Sequence, residues 1–343
     1  MKTLSAIAKE LGVSVAAVSY VYHGKWREKR IHPDLAERVR RKLEEERAVP
    51  DALGRQLQSG RTQTVGVLLP HLDQHYFLNL LAGIERRLGQ SDYMVLLGSA
   101  HGQREVRQVQ LLERMLARRV DALVMCPYPA ADLIDFVVSM SQGGDTPLVF
   151  VDNYLRQCPA GRVLSDNRWG AREAVRKMLA EGRRRILLVG GDSTVAAVHD
   201  RCLGYSDAME EARLDGAKSL TVWGSPGEQT TLESLRGLLS SDDRPDAILT
   251  ASFFRFFPVL KLLDELGLSH PADVLLAGFD QPSESWAQDT VRRVIREPLL
   301  TVVQAATEIG GTAVDLALAA IGGNDVMGQQ RLIRPNLSWQ RKE

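Results

Sequence analysis

His71 and His75 are the one closely spaced histidine pair in this 343-residue chain. On a single helix face, two imidazoles at i and i+4 can ligate zinc. Here they follow the apolar run TVGVLLP, in a stretch that reads as a loop, so a pocket lining or a surface suits them better than a metal site. Other reactive arrangements are missing from the sequence. There is no G-x-S-x-G elbow and no Walker A loop, and Gly190-Gly191 after RRILLV does not extend to G-x-G-x-x-G. The cysteines Cys126, Cys158 and Cys202 are scattered, odd in number and without CxxC spacing, which reads as small buried apolar residues in a reducing compartment. The sequence therefore gives no reason to expect an enzyme, a cofactor or a metal. What remains is the chemistry of recognition. The loop Gly24-Lys25-Trp26-Arg27-Glu28-Lys29-Arg30 clusters four basic residues around one indole. Such a loop suits contacts to phosphates, with Trp26 as a brace, or equally a solvated basic surface.

The charge distribution asks for two kinds of body. Net charge over the whole chain is zero, but residues 1–61 carry 13 Lys/Arg against 8 Asp/Glu, a net of +5, and the remainder is −5. A basic head on a neutral-to-acidic body is expected. Within the head, Thr3 or Ser5 can cap a helix with apolar Leu4, Ile7, Ala8 and Leu11, and Gly12 ends it. Ser14 is placed to cap a second helix whose apolar stripe is Val15, Val18, Val21 and Tyr22, and a third helix runs from about Pro33 to Glu46. Two short helices joined by a Gly-containing turn spell a helix-turn-helix, whose second helix enters the DNA major groove. Val15, Ala16, Ser19 and Tyr20 fall on or near the face it would present.

The segment TLSAIAKELGVSVAAVSYVYHG resembles the opening of lactose-repressor (LacI) family proteins, and the match continues to VPDALGRQLQSGRTQTVGVLLP. The resemblance implies a DNA-binding head over 1–49, a hinge helix and linker over 50–61, and an effector-binding and dimerisation domain over 62–343. It implies DNA contacts for Thr3, Leu4, Ser14, Val15, Ala16, Ser19, Tyr20, Arg30 and Arg55. Leu57 stands at the position of a hinge leucine that wedges into the minor groove. The chain departs from the family in three places here. Tyr20 replaces a common Arg and cannot make the bidentate contact to guanine. Gly54 replaces an Ala in the hinge, at a helix penalty of roughly 1 kcal/mol. The basic loop is also longer than in the shortest members.

From Thr64 the pattern becomes an alternation of short apolar runs and amphipathic stretches: TVGVLLP, YMVLLGSA, VDALVMCP, PLVFVDN, RRILLVGG, SLTVWG, PDAILTAS and DVLLAGFD, with helical spacing between them. This predicts an α/β body of parallel sheets covered by helices, with more units than one sheet usually holds, hence two Rossmann-like subdomains around a cleft. The family resemblance gives the same architecture, of periplasmic-binding-protein type. It implies crossings between lobes near Ser165, Arg296 and Val326, an N-subdomain of about 62–165 plus 297–326, and a C-subdomain of about 166–296 plus 327–343. By position, HYF offers Tyr76 and Phe77 to an effector, FVDN offers Asp152, DRCLGY offers Arg201 within an R-x-x-G motif, and GFD offers Asp280. Ser252, followed by Phe253-Phe254-Arg255, replaces a more usual polar pair and is similar to a branch whose effectors are sugar phosphates.

Together these readings imply a sequence-specific transcriptional regulator, a repressor by family habit. It would bind double-stranded DNA at a pseudo-palindromic operator as a homodimer and respond to a sugar or sugar phosphate between its lobes. The helix starting near Phe77 is the implied dimer face, and the sequence shows no heptad tail for a tetramer. The alternative is a solute-binding module with no DNA role, which predicts a secretory signal and no helix-turn-helix. The opening MKTLSAIAKELG lacks an apolar h-region and no run is long enough to span a bilayer, so a cytoplasmic protein without membrane contact is expected.

Overall fold

The computed structural model describes residues 2–22, 24–47, 60–100, 104–143, 146–212, 220–224, 229–280 and 299–339. The chain divides into two units, 1–63 and 64–343.

In the first unit, helices α1 (Leu4–Leu11), α2 (Val15–Tyr22) and α3 (Pro33–Glu45) pack around Leu4, Ile7, Ala8, Val18, Val21, Ala36, Val39 and Leu43. The caps are local chemistry. The Thr3 hydroxyl accepts from the Ala6 N–H at 3.3 Å, and Gly12 ends α1 in the left-handed region at φ 66°, where a side chain would be strained. Ser14 Oγ then accepts from the Ala17 N–H at 3.2 Å and starts α2. The expected apolar stripe of α2 holds only in part. Val18 and Val21 are buried, but Val15 and Tyr22 are 49% and 42% exposed, because an eight-residue helix can turn only one narrow face to two neighbours.

The second unit contains two six-stranded sheets. Its N-terminal lobe holds β1 (Thr64–Leu69), β2 (Met94–Ser99), β3 (Ala122–Met125), β4 (Leu148–Val151), β5 (Gly161–Ser165) and β11 (Gln330–Ile333), in the order β11-β5-β4-β3-β1-β2 and all parallel. Helices α4 (His75–Leu88), α5 (Arg104–Ala117), α6 (Ala131–Gly143) and α11 (Ala306–Ile321) belong to it. The C-terminal lobe holds β6 (Ile186–Val189), β7 (Thr221–Val222), β8 (Ala247–Thr250), β9 (Leu275–Phe279), β10 (Leu300–Val303) and β12 (Asn336–Ser338), ordered β12-β10-β9-β8-β6-β7. Only the β10–β12 pair in it is antiparallel. Its helices are α7 (Asn167–Ala180), α8 (Ala196–Glu211), α9 (Gln229–Leu239) and α10 (Phe253–Glu265). The central strands β3, β4, β6, β8 and β9 are buried throughout, as sheets covered on both faces require.

The crossings differ from the expected places. The first lies at Ser165–Asp166, after β5 of the N-terminal lobe. Arg296, the expected second crossing, lies outside the described residues; LTVV forms β10, pairs with β9 in the C-terminal lobe, and the chain passes to the N-terminal lobe at Gln304. The third is at Arg334–Pro335 and not near Val326, because β11 still pairs with β5 in the N-terminal lobe. Among the described residues, no single helix is long and apolar enough to cross a membrane.

Candidate effector site and nucleic-acid interface

Arg201 lies in the second turn of α8, and Gly204, one turn further, decides how close that helix comes to α7. A Cβ on Gly204 would stand 2.1 Å from the Arg168 carbonyl oxygen. The R-x-x-G spacing thus joins a close helix crossing to an inward-facing arginine. Arg201 is only 5% exposed. Its Nε donates to Asn167 Oδ1 at 2.7 Å, one terminal nitrogen to the Ala251 carbonyl at 2.7 Å and the other to Gln304 Oε1 at 3.2 Å. The guanidinium carbon sits 3.8 Å from the centre of the Phe279 ring. Three of its five N–H groups are committed, which leaves two without a partner among the described residues. Burial lowers the Arg201 pKa from its ordinary value, opposed chiefly by Asp152 and Asp280.

Asp152 follows β4 and Asp280 follows β9, so the two occupy equivalent places in the two lobes, at the carboxyl ends of their strands. Both adopt φ 64°, a left-handed conformation that aspartate tolerates better than most residues. Non-glycine residues held there cluster at functional sites. Asp280 does not pair directly with Arg201. Gln304 stands between them, donating Nε2 to Asp280 Oδ2 at 2.7 Å and its backbone N–H to Oδ1 at 3.3 Å, while its own oxygen faces Arg201. Asp152 accepts from the Cys126 thiol at 3.4 Å. Both carboxylates keep some exposure at the cleft wall, yet desolvation pushes both pKa values up, that of Asp280 to about 6, with Arg201 opposing.

Tyr76, in the first turn of α4, is 9% exposed, and its hydroxyl is buried beside the Asp152 carboxylate. The negative field of Asp152 and Asp280, added to burial, holds its pKa well above the ordinary phenol value. Gln74 Nε2, two residues earlier, is buried and has no hydrogen-bond partner among the described residues. A buried polar group without a partner is expensive, so such groups mark a place where a ligand or water completes the set. Phe77 does not join these groups. It packs in the core of the N-terminal lobe, edge-on to Tyr76 at 5.1 Å. Ser252, at the end of β8, accepts from Arg255 at 2.6 Å. His71 lies in the loop before α4 and His75 opens that helix, so the pair shares no helical face.

Among the described residues, hydrogen bonds join the lobes at the cleft. The Tyr128 hydroxyl donates to Asp192 Oδ2 at 2.9 Å, and Asn153 Oδ1 accepts from the Ala196 N–H at 3.0 Å. Sequence reasoning missed Tyr128, Asn153, Asn167, Asp192 and Gln304. The only local sign for Asn167 is its place directly after the helix-capping Asp166. Of the cysteines, Cys126 and Cys158 are buried, Cys202 is half-buried, and none forms a disulfide.

In the head, Val15 and Ala16 are exposed at the start of α2, and Ser19 and Tyr20 are half-buried. The basic loop is built rather than loose. Its backbone bonds include Lys25 N–H to Tyr20 O at 2.8 Å and Ile31 N–H to Trp26 O at 2.9 Å. Arg27 stacks on Trp26 at 5.0 Å and the Lys29 ammonium stands 5.5 Å from the Tyr20 ring centre. Trp26 packs against the head core while Lys25, Arg27, Lys29 and Arg30 stay exposed. The Leu4 side chain is 4% exposed and packs in that core, under the start of α1. Arg55 and Leu57, with the expected hinge helix, lie outside the described residues.

Residues 62–336 match the family model for periplasmic binding proteins and the sugar binding domain of the LacI family. The chain belongs to the LacI family of transcriptional regulators. Similar LacI-family proteins span nearly its whole length. The HTH-type transcriptional repressor PurR of Shigella dysenteriae is 26% identical over 344 residues, covering 99% of this chain and 96% of that one. The ribose operon repressor of Haemophilus influenzae is 24% identical over 321 residues, covering 94% and 92%. Among solved structures, the Lac repressor dimer bound to operator and the anti-inducer ONPF matches with a TM-score of 0.79 at 22% identity, over 99% of this chain and 98% of that one. At that identity the match speaks for the LacI-type fold.

Proposed function

We propose that this LacI-family chain is a repressor that binds a pseudo-palindromic operator as a homodimer and whose operator affinity is set by a sugar-type effector held between the lobes of its body. The observation that carries the effector half is the set of groups converging on the cleft: two open N–H groups of Arg201, the carboxylates of Asp152 and Asp280, and the buried hydroxyl of Tyr76 beside Asp152. A ligand with several hydroxyls supplies both acceptors for Arg201 and donors for the carboxylates. The matched family model, described as a sugar binding domain, supports the same class.

The DNA half rests on the head. Its α2 residues Val15, Ala16, Ser19 and Tyr20, the first two exposed and the last two half-buried, face base edges in this reading, and Lys25, Arg27, Lys29 and Arg30 contact phosphates. Leu78 of α4, with Met94 and Leu97 of the edge strand β2, offers a surface for dimerisation, these residues being 46%, 73% and 40% exposed. In the mechanism, effector binding favours one arrangement of the lobes. The paired hinges then change their spacing, and operator affinity changes by the difference in effector affinity between the two states.

Selection from a random duplex library by the full-length protein tests the DNA half. It is expected to return a pseudo-palindrome with half-sites about one helical turn apart. Enrichment of no sequence over random DNA overturns it. Thermal shift against sugars and sugar derivatives, followed by operator titration with each hit, tests the effector half, and hits that leave operator affinity unchanged overturn that part.

A further inference from the structure

Tyr20, in the last turn of α2, is gripped at two points by the loop that follows it. Its carbonyl accepts from the Lys25 N–H at 2.8 Å, and the Lys29 ammonium stands 5.5 Å from the centre of its ring. The Lys29 N–H in turn donates to the Lys25 carbonyl at 3.1 Å, so the backbone bond and the ring contact belong to one closed turn. That turn is fixed to the head. Trp26 packs against the head core, and its carbonyl accepts from the Ile31 N–H at 2.9 Å. The two lysines therefore hold Tyr20 differently. Lys25 does so through its backbone, and Lys29 through its side chain.

The charges of the head divide in the same way. Lys2 and Lys42 are neutralised within the fold. Glu46 lies 3.0 Å from each of them, and Glu10 is bonded to Lys2 and lies 3.4 Å from Lys42. Lys25, Arg27, Lys29 and Arg30 are exposed and form no ion pair among the described residues. Lys29 thus keeps its charge open while its ammonium lies against the Tyr20 ring. The Tyr20 hydroxyl makes no hydrogen bond among the described residues, although its ring is half-buried. A phenol held by its ring and open at its hydroxyl can donate one bond to a base edge. One such bond discriminates between bases only if the ring is held in place.

We propose that Lys29 is a positioning residue for base reading: it holds the Tyr20 ring against the loop so that the hydroxyl meets one base pair in each half-site. Lys29 then contributes to sequence discrimination as well as to affinity, from outside the helix that enters the groove. This rests on the reading of α2 as the helix that faces base edges, and it gives one side chain of the basic loop a role beyond phosphate contact.

Anisotropy titrations of the full-length protein test it. The probes are the operator that the wild-type chain selects from a random duplex library and every single-base-pair variant of its half-site, changed in both halves together. Tyr20→Ala is expected to flatten discrimination at one position of the half-site. Lys29→Ala is expected to flatten the same position by about 2- to 5-fold, the range for a cation on an exposed ring, and to leave discrimination elsewhere intact. Lys25→Ala removes an equal charge from the same turn and keeps the backbone bond, so it is expected to weaken every site alike. Lys29→Arg, which keeps a cation over the ring, is expected to discriminate as the wild type does. With Tyr20→Ala already in place, Lys29→Ala is expected to cost no further discrimination, because it acts through the ring. Uniform weakening by Lys29→Ala, a loss of discrimination at every position, flattening at a position that Tyr20→Ala leaves sharp, or no effect of Tyr20→Ala on discrimination each overturns the proposal. In all of these cases an enriched pseudo-palindrome leaves the DNA-binding reading intact. Enrichment of no sequence overturns that reading and this proposal with it, so the two failures are distinguishable.

Discussion

The Tyr128 hydroxyl donates to the Asp192 carboxylate at 2.9 Å, joining the N-terminal lobe to the C-terminal lobe across the mouth of the cleft. With Asn153 and the Ala196 N–H it ties together surfaces that must separate if a ligand is to enter. Tyr128→Phe keeps the ring and removes the donor. This lobe arrangement should lose about 1 kcal/mol, and a ligand that selects it should bind roughly fivefold more weakly. A fluorescence titration of effector on the two proteins reads the change directly. Equal affinities would show that the bond contributes nothing to closure.

Arg201 is the second case. Arg201→Ala leaves Asn167 and Gln304 without their buried partner and removes two open donors from the cleft. The effector response of operator binding should disappear while affinity for operator without effector is retained. Urea unfolding should show a stability loss of about 2–3 kcal/mol from the stranded polar groups. Arg201→Lys should not restore the response, because an ammonium cannot reproduce three hydrogen bonds in a fixed plane. An effector response surviving in Arg201→Ala would remove this residue from the site.

The raised Asp280 carboxyl has a pH consequence with a definite sign. Its folded pKa of about 6 lies above the ordinary 3.8, so the protonated form is favoured by folding. Its contribution to stability is complete below the unfolded value and is lost as pH rises through the folded one. Between pH 4 and 6 this group alone should take away on the order of 2 kcal/mol, with some screening at the cleft wall. A hydroxyl-bearing effector favours the ionised acceptor, so its binding should strengthen as pH rises through 6 and should release a proton there. Calorimetry in two buffers of different ionisation enthalpy counts that proton. In Asp280→Asn the release should vanish, and a proton count unchanged by the substitution would assign it to another group.

The head divides into two kinds of contact that salt separates. Leu57→Ala should weaken operator binding strongly and hardly touch binding to random DNA, as expected for a minor-groove wedge. Replacing Lys25 and Arg27 with Ala should weaken both alike and flatten the dependence on salt by about one unit of slope for each phosphate no longer neutralised. Filter-binding or anisotropy titrations across salt concentrations distinguish the two. Equal losses for operator and random DNA in Leu57→Ala would count against the wedge.

How much of this was legible in the chain can be argued from single residues. Thr3, Gly12 and Ser14 announce the first two helices because a cap is a bond between residues three apart, fully encoded by neighbours. The eight apolar runs announce the body because buried parallel strands need apolar side chains on both faces. Asp152, Arg201 and Asp280 were found through short motifs, and the structure brings them to one cleft. Leu4 and Phe77 pack in cores, and Val15 is exposed where the apolar stripe of α2 was expected. Type and spacing do not tell a residue facing a core from one facing a ligand when the helix is short.

The amino-acid sequence by itself determined the two-part organisation, the order of helices and strands, and the residue types able to recognise DNA and a polar ligand. These follow from hydrophobic period, capping and charge, which act over a few residues. Only the tertiary structure decided which partners complete those residues. Gln304 bridges Arg201 and Asp280 from 103 positions beyond the arginine, Ala251 meets Arg201 from 50 positions away, and Arg255 packs its guanidinium over Gly191. Those contacts exist because the chain crosses between lobes at Ser165, Gln304 and Arg334, and the crossings are set by which strands pair. Strand pairing is a property of whole sheets, where LTVV joins one lobe and QRLI the other for reasons of packing that no local window contains.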